Sequence, residues 1–187
     1  MLKHNFATKG YIKHNGLSVK EISPIIKLNL RGKKREFFTS IGKNLNIILP
    51  TEANTSSASD KLTSIWLSPD EWMIVSNETL KKESNKYQLE ELLFNNISKN
   101  NLGSVTDVSD QFVLLELEGK NIYELFASGS PFNFNNFKER IGSSTQTMLN
   151  HIDVIIHNKS TNLVNLFVRR SFSQHLWSWI NDSASRL

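Results

Sequence analysis

Alternating apolar and polar residues divide the first half of the chain into short predicted strands joined by polar turns. Ile22–Leu30 and Leu45–Leu49 alternate as half-buried strands do, and the Ser/Thr/Asn-rich stretch Thr51–Ser64 predicts a loop. Ile65–Val75 predicts two strands hinged at Ser68-Pro69-Asp70-Glu71, because proline followed by an acidic residue favours a tight turn. Tyr87–Ser98 predicts an amphipathic helix that closes this half. Its core-facing residues are Leu89, Leu92, Leu93 and Ile97.

The second half repeats this sequence of patterns. A short strand begins at Val105, and a helix over Asn121–Ala127 is expected to stop at Pro131. Three further stretches have strand patterns, the second of them as one strand or a pair: Phe112–Glu118, Thr147–His157 and Leu163–Val168. A final helix over Ser173–Asn181 places Leu176, Trp177 and Ile180 on one stripe, with Ser171 as the predicted N-cap.

The two halves also match residue by residue over one stretch. Leu28 to Ile47 is echoed without a gap by Leu115 to Phe134. The matched residues are Leu28, Leu30, Gly32, Lys33, Gly42 and Asn46 with Leu115, Leu117, Gly119, Lys120, Gly129 and Asn133. The spacing between the two glycines is the same in both copies, which favours an internal duplication over two unrelated segments that obey the same local rules.

These patterns predict an α+β protein of two related halves, each with mixed or antiparallel strands and a closing helix, rather than a doubly wound parallel sheet. The predicted boundaries are an N-terminal arm at 1–22, then a domain at 23–187 built from repeats at about 23–100 and 104–187. The duplication concerns the fold and leaves the activity open.

Composition narrows the class of protein. The chain has no cysteine, which excludes disulfides and thiolate metal sites, and no apolar run long enough to span a bilayer, so we expect a soluble cytoplasmic protein. The net charge of +4 comes from 16 lysines and 6 arginines that are spread along a chain with 21 asparagines. Dispersed lysine of this kind does not predict a nucleic-acid site, and no recognition motif accompanies it.

Candidate chemistry is sparse, since no nucleotide-binding, nucleophile-elbow or zinc-protease motif is present. His151 and Asp153, with His157 nearby, could orient a proton or a metal, or form an exposed polar strand face. Asp107 and Asp110 could share a cleft for acid/base work, or cap turns; the turn interpretation is favoured because Asp and Ser readily accept backbone N–H bonds at such corners.

The four tryptophans, Trp66, Trp72, Trp177 and Trp179, are typical of core positions but could anchor a partner. Trp177 and Trp179 are two positions apart on one helix, about 200° around its axis, so we expect one of them to cover another surface.

Four blocks together resemble the gamma subunit of heterotetrameric sarcosine oxidase. They are Ile65–Trp72, Val105–Gln111, Gln146–Val154 and, last, Arg169–Phe172 with Leu176–Trp179, and they occur in the family's order within about Pro24–Ala184. Ser68 and Ser130 depart from the pattern, where glycine and cysteine are expected.

The resemblance implies a noncatalytic subunit of a flavoenzyme complex that oxidatively demethylates sarcosine to glycine, with hydrogen peroxide and 5,10-methylenetetrahydrofolate as the other products. It implies an aminomethyltransferase-like, folate-binding type of fold and no cofactor or metal in this chain. FAD, FMN, NAD, tetrahydrofolate and zinc would lie on other subunits. The partners would be the alpha subunit, as the main contact, and the beta and delta subunits, with no nucleic acid or membrane. Trp72, Arg170 and Trp179 are the expected partner contacts.

Two other interpretations stay open. The chain could be a free-standing folate-binding one-carbon carrier or aminomethyltransferase-like protein, in which Asp107 or Asp110 would hold the pterin ring by paired hydrogen bonds. It could also be a module that scaffolds unrelated proteins. Saturable folate binding would favour the carrier, and copurification without a flavin-containing partner would favour the scaffold.

Overall fold

The computed structural model describes residues 5–8, 10–22, 24–79 and 88–187. The strands are β1 (Tyr11–His14), β2 (Leu17–Glu21), β3 (Ile25–Arg31), β4 (Ser56–Ala58), β5 (Leu62–Ser68), β6 (Glu71–Thr79), β7 (Ser104–Asp107), β8 (Phe112–Glu118), β9 (Ser144–Leu149), β10 (Ile152–Ser160) and β11 (Leu163–Arg169). The α-helices are α1 (Arg35–Leu45), α2 (Gln88–Leu93), α3 (Ile122–Gly129) and α4 (Ser173–Ala184). A π-helical turn covers Phe94–Ser98 and a 3-10 turn covers Arg170–Phe172. The predicted α+β class is confirmed.

The described residues form two compact units. The first consists of Asn5 and the described residues of 23–110, and the second consists of the described residues of 6–22 together with 111–187. Among the described residues, no helix has the length and apolar character needed to cross a bilayer.

The first unit is a five-stranded antiparallel sheet in the order β4-β5-β6-β3-β7. Helix α1 packs on it because Phe37, Ile41 and Leu45 recur at helical spacing and are all buried. The predicted hairpin at Ser68–Glu71 is confirmed as the β5–β6 turn, where the Ser68 hydroxyl donates to Asp70 at 2.9 Å. That hydrogen bond, more than the nearby Arg31 and Lys33, lowers the pKa of the Asp70 carboxyl.

The predicted strand at Leu45–Leu49 is wrong. Leu45 ends helix α1, and Asn46 follows in the left-handed conformation with φ 50°, its N–H bonded to the Gly42 carbonyl. Ile47 and Leu49 are buried while Ile48 is 84% exposed, so the alternation reflects an extended segment that lies on the core outside the sheet. The predicted loop at Thr51–Ser64 is also partly wrong, because small polar residues there form the edge strand β4 and the start of β5.

The predicted helix at Tyr87–Ser98 is confirmed over its described part, and Tyr87 lies outside the described residues. Leu93 and Ile97 are buried as expected, whereas Leu92 is 40% exposed. Leu92 lies in helix α2, ahead of the π-helical turn that begins at Phe94.

The second unit is a six-stranded antiparallel sheet in the order β1-β2-β8-β11-β10-β9. Strands were correctly predicted at Phe112–Glu118 and Leu163–Val168, and Thr147–His157 is the strand pair β9–β10. Helices α3 and α4 contribute to the core on one face of this sheet through buried residues such as Leu125, Phe126 and Ile180.

Residues 1–22 were predicted to be an arm, but the described part of this segment contributes two strands to the second unit. Strand β2 pairs with β8, and β1 pairs with β2. The Glu21 carboxylate accepts the backbone N–H groups of Ala7 and Thr8 and the Thr8 hydroxyl, at 2.6 to 3.0 Å. Strand β7, which was assigned to the second half, pairs with β3 in the first unit, so the boundary follows Asp110.

Ser171 was predicted to cap the final helix, and this is wrong. Helix α4 begins at Ser173 after a 3-10 turn, and Phe172 occupies the cap position. The Ser173 hydroxyl donates to the Arg170 carbonyl at 2.8 Å, so the turn that precedes the helix supplies the local hydrogen bonding. Trp177 and Trp179 are both half-buried and both pack against the core.

The two units share one order of elements. Strands β3, β6, β5 and β4 are neighbours in the first sheet, as β8, β11, β10 and β9 are in the second, and a helix follows the first strand of each set. A further antiparallel strand flanks each set, β7 beside β3 and β2 beside β8. The shared order supports the predicted duplication, with each flanking strand drawn from a different place in the chain.

Candidate functional site

Asp107 forms a turn. Its carboxylate accepts the Ser109 N–H at 2.8 Å, and the Ser109 hydroxyl in turn accepts the Lys27 N–H at 2.9 Å. This is the arrangement that the turn interpretation expects, since an aspartate commonly accepts the N–H two residues on. Asp107 and Asp110 are both exposed. The contacts therefore favour a structural role over acid/base chemistry for Asp107.

His151, Asp153 and His157 have three different environments. His151 lies in the β9–β10 turn with φ 63°, so it is not on the strand face with Asp153. His157 is 5% exposed, and this burial, together with the nearby charge of Lys159, lowers its pKa to about 4. Among the described residues, no group of three or more histidine, aspartate or glutamate side chains could hold a metal ion.

Trp72 was predicted to contact a partner, but it is a core residue of the first unit. It is 1% exposed, its indole N–H donates to the Pro50 carbonyl at 2.8 Å, and its ring packs against Phe37 and Phe38. A side chain in this position offers no surface to another protein. An aromatic residue in a short strand is typical of a core, and Trp72 follows this general pattern.

Arg170 and Trp179, the other two predicted contacts, both lie near the end of the chain in the second unit. The Arg170 backbone N–H bonds to the Gln111 carbonyl at 2.9 Å, which fixes the 3-10 turn to the start of strand β8. The indole of Trp179 lies against Gly129 at the end of helix α3. Both side chains are half-buried, so each keeps a part exposed to solvent.

An open groove of about 450 Å³ lies on the second unit. We call it the Arg169 groove, and its lining residues are Phe112, Pro131, Gln146, Thr147, Met148, Asp153, Val154, Ile155 and Arg169. They come from four adjacent strands, β8, β11, β10 and β9, and from the loop that follows helix α3.

Sequence reasoning did not select this groove as a site. Strand alternation was the available signal, because it puts Asp153 and Ile155 on the face opposite Val154 and Ile156. The order of the strands was needed to bring Phe112 and Arg169 beside them, and the hydrophobic pattern does not give that order.

Solved structures that resemble this chain include two of different proteins. One is a chain of the heterotetrameric sarcosine oxidase from Corynebacterium sp. U-96 in complex with pyrrole 2-carboxylate, with TM-score 0.81, 19% identity, and coverage of 94% of this chain and 88% of that one. The other is the glycine cleavage system aminomethyltransferase T from Bartonella henselae, with TM-score 0.62, 15% identity, and coverage of 91% of this chain and 49% of that one. This chain thus spans about half the length of the aminomethyltransferase. These likenesses show the fold.

Among curated proteins, no relative matches this sequence. The sequence model of the family described as "Sarcosine oxidase, gamma subunit family" matches residues 32–186.

Proposed function

The chain belongs to the sarcosine oxidase gamma subunit family, and from this premise we propose that it is a noncatalytic subunit of a heterotetrameric sarcosine oxidase. The observation that carries the proposal is the family match over 32–186, which includes parts of both units. In this role the chain docks mainly on the alpha subunit and completes an assembly with the beta and delta subunits. The assembly demethylates sarcosine oxidatively and works in the cytoplasm.

In this proposal the chemical steps of the assembly take place on other chains. FAD, FMN, NAD, tetrahydrofolate and zinc are held by the other subunits in this proposal, and this chain binds none of them. The environments of its titratable side chains support a structural role. Asp107 is engaged in a turn, and the His157 ring is buried away from solvent, so neither is arranged to reach a substrate.

Arg170 and Trp179 are the proposed partner contacts. Arginine and tryptophan are enriched where protein interfaces concentrate binding energy, because each combines a large apolar surface with directed hydrogen bonds. Both lie on elements that the fold holds firmly, Arg170 on the turn bonded to Gln111 and Trp179 on helix α4. A preformed position of this kind reduces the entropy that is lost on docking.

Some of the basic residues that the structure describes are already paired with carboxylates, which disfavours a nucleic-acid partner. Lys33 and Arg31 both approach Asp70, at 3.7 and 3.4 Å, and Lys20 and Lys159 both approach Glu116, at 2.9 and 3.6 Å. Cations that are paired with carboxylates contribute little to a phosphate-binding face.

A folate-binding one-carbon carrier is the second candidate function. It is favoured by the fold similarity to aminomethyltransferase T. Titration of the isolated chain with tetrahydrofolate separates the two candidates: saturable binding near micromolar concentration supports the carrier, and no binding supports the structural subunit.

The experiment that tests the proposed function is purification of the tagged chain from cells that produce all four subunits. We expect it to bring down three further chains with the absorbance spectrum of bound flavin. Recovery of the chain alone, or with proteins that carry no flavin, would contradict the proposal and would favour a general scaffold.

A further inference from the structure

We propose that the Arg169 groove is the docking site for an extended segment of a larger subunit of the oxidase. The segment would present a carboxylate to Arg169 and a lysine or arginine to Asp153, with apolar side chains flanking this pair against Phe112 and Met148. The inference rests on the proposed function, because it names the surface and the chemistry by which the subunit joins its partner.

The register of the sheet places the two charged groups side by side. Arg169 pairs with Phe112 across β11 and β8, and Asp153 pairs with Met148 across β10 and β9. Val154 and Val168 face each other across β10 and β11. Asp153 precedes Val154 and Arg169 follows Val168, so these two residues are neighbours on the opposite face of the sheet. A row Phe112, Arg169, Asp153, Met148 crosses four strands.

Arg169 and Asp153 do not form an ion pair. Within the described part of the chain, no carboxylate lies within 4.0 Å of the Arg169 guanidinium and no cation within 4.0 Å of the Asp153 carboxylate. The Arg169 guanidinium instead lies 6.0 Å from the centroid of the Phe112 ring. Elsewhere on the same sheet Glu116 on β8 contacts Lys20 on the neighbouring strand β2 and also Lys159 on β10, so opposite charges on this sheet can meet.

The remaining side chains of the groove suit a protein segment. Met148 is 44% exposed on the edge strand β9, next to β10 with the buried Ile155, and Phe112 lies at the other end of the row on β8. Methionine, arginine and aromatic residues are enriched at the centres of protein interfaces. A pocket for a small molecule encloses most of its ligand, whereas Arg169, Asp153, Gln146 and Met148 all remain exposed to solvent. The groove therefore fits a chain that covers it from outside.

The test compares charge variants in the reconstituted four-subunit complex. Arg169→Glu and Asp153→Lys are each expected to weaken binding of the full chain to the other three subunits by about tenfold or more, and to reduce its dependence on salt. Lys43→Glu makes the same charge change as Arg169→Glu on an exposed position of helix α1 and is the matched control, with binding unchanged. Both groove residues are exposed, so we expect the unfolding midpoints to stay at the wild-type value.

A second measurement identifies the occupant. A photocrosslinking amino acid in place of Met148 is expected to react, in the assembled complex, with one segment of a larger subunit that contains both an acidic and a basic residue. The inference is overturned if the wild-type complex assembles but both charge variants bind like the wild type. Crosslinks spread over unrelated surfaces would overturn it as well. Failure of the wild-type chain to join the flavin-containing subunits would instead overturn the proposed function. The isolated chain could also bind sarcosine saturably and lose this binding in Arg169→Glu. That result would overturn the docking inference, because the groove would then be a site for a small zwitterion.

Discussion

Gly129 lies against the indole ring of Trp179, so that a Cβ at position 129 would be 2.5 Å from Cζ2 of that ring. Gly129→Ala must therefore push the half-buried indole out of its packing against the core. We expect the free energy of unfolding to fall by about 1–3 kcal/mol, as for other overpacked sites. Urea denaturation followed by circular dichroism measures this change.

Gly42 provides the matched control, since it is the equivalent glycine of the first copy. A Cβ there would have nothing nearer than the Ile47 carbonyl at 3.9 Å. Gly42→Ala should leave the unfolding free energy unchanged or raise it by about 0.5–1 kcal/mol, because alanine favours the helix. Equal losses in both variants, or an undiminished loss for Gly129→Ala in a Trp179→Ala background, would show that contact with the indole is not the cause.

Trp72→Phe tests the assignment of Trp72 to the core. The change leaves the Pro50 carbonyl without the indole N–H, so we expect about 1–3 kcal/mol lower unfolding free energy and unchanged affinity for the partner subunits. Trp66 lies opposite Trp72 in the β5–β6 pair and is only half-buried, which makes Trp66→Phe the control with a smaller expected loss. A stable Trp72→Phe protein that binds its partners weakly would favour an interface role.

The buried His157 predicts that the free energy of unfolding of the protein falls in mild acid. Its pKa is about 4 in the folded protein and near 6.5 when the chain is unfolded, so the unfolded state binds more protons between these values. Above pH 6.5 the neutral ring makes its full contribution to the free energy of unfolding. As the pH falls toward 4, about 3 kcal/mol of this contribution is lost. Unfolding free energies measured across this range should have a smaller slope in His157→Gln.

The control for that slope is His151→Asn, because His151 is exposed in the β9–β10 turn and asparagine tolerates its positive φ. We expect this variant to keep the wild-type slope. An identical slope in the wild type and His157→Gln would mean that the buried ring does not control the acid response.

Much of the fold could be predicted from hydrophobic alternation, and the failures have identifiable causes. Phe112–Glu118 was predicted to the residue because its alternating pattern is bounded by turn residues. Leu45–Leu49 was wrong because alternation records burial on one side, and an extended segment without a strand partner has the same pattern as a strand. Strands β1 and β2 form a local hairpin that was not predicted from the sequence, and the pairing of β2 with β8 joins residues that are distant in sequence.

The site was less accessible to sequence reasoning than the fold. Asp107 could be assigned to a turn because the interaction with Ser109 is local. Trp72 was placed wrongly, since its strand pattern was typical of the core and its choice as a partner contact came from the resemblance. The neighbouring positions of Arg169 and Asp153 depend on strand order and register, which a single sequence does not give.

Because Arg170 and Trp179 are the proposed partner contacts, substituting either one should weaken binding to the partner more than it lowers the stability of the folded chain. We expect Arg170→Ala and Trp179→Phe each to weaken binding to the larger subunit by about tenfold, since such side chains carry a large share of interface energy. Isothermal titration of the purified chain into the other three subunits measures the affinity, and thermal unfolding of each variant alone measures its stability. Lys138→Ala, at an exposed position of the same unit, should leave the affinity unchanged. Wild-type affinity in both variants would remove these residues from the interface.

The central claim is that this chain contributes structure and other subunits contribute the chemistry. Its most direct test measures sarcosine-dependent release of hydrogen peroxide by the purified chain, by the other three subunits together, and by the four combined. We predict no turnover by the chain alone, and a more stable or more active assembly when it is added. Turnover of sarcosine, or one-carbon transfer to tetrahydrofolate, by the chain alone would contradict the account.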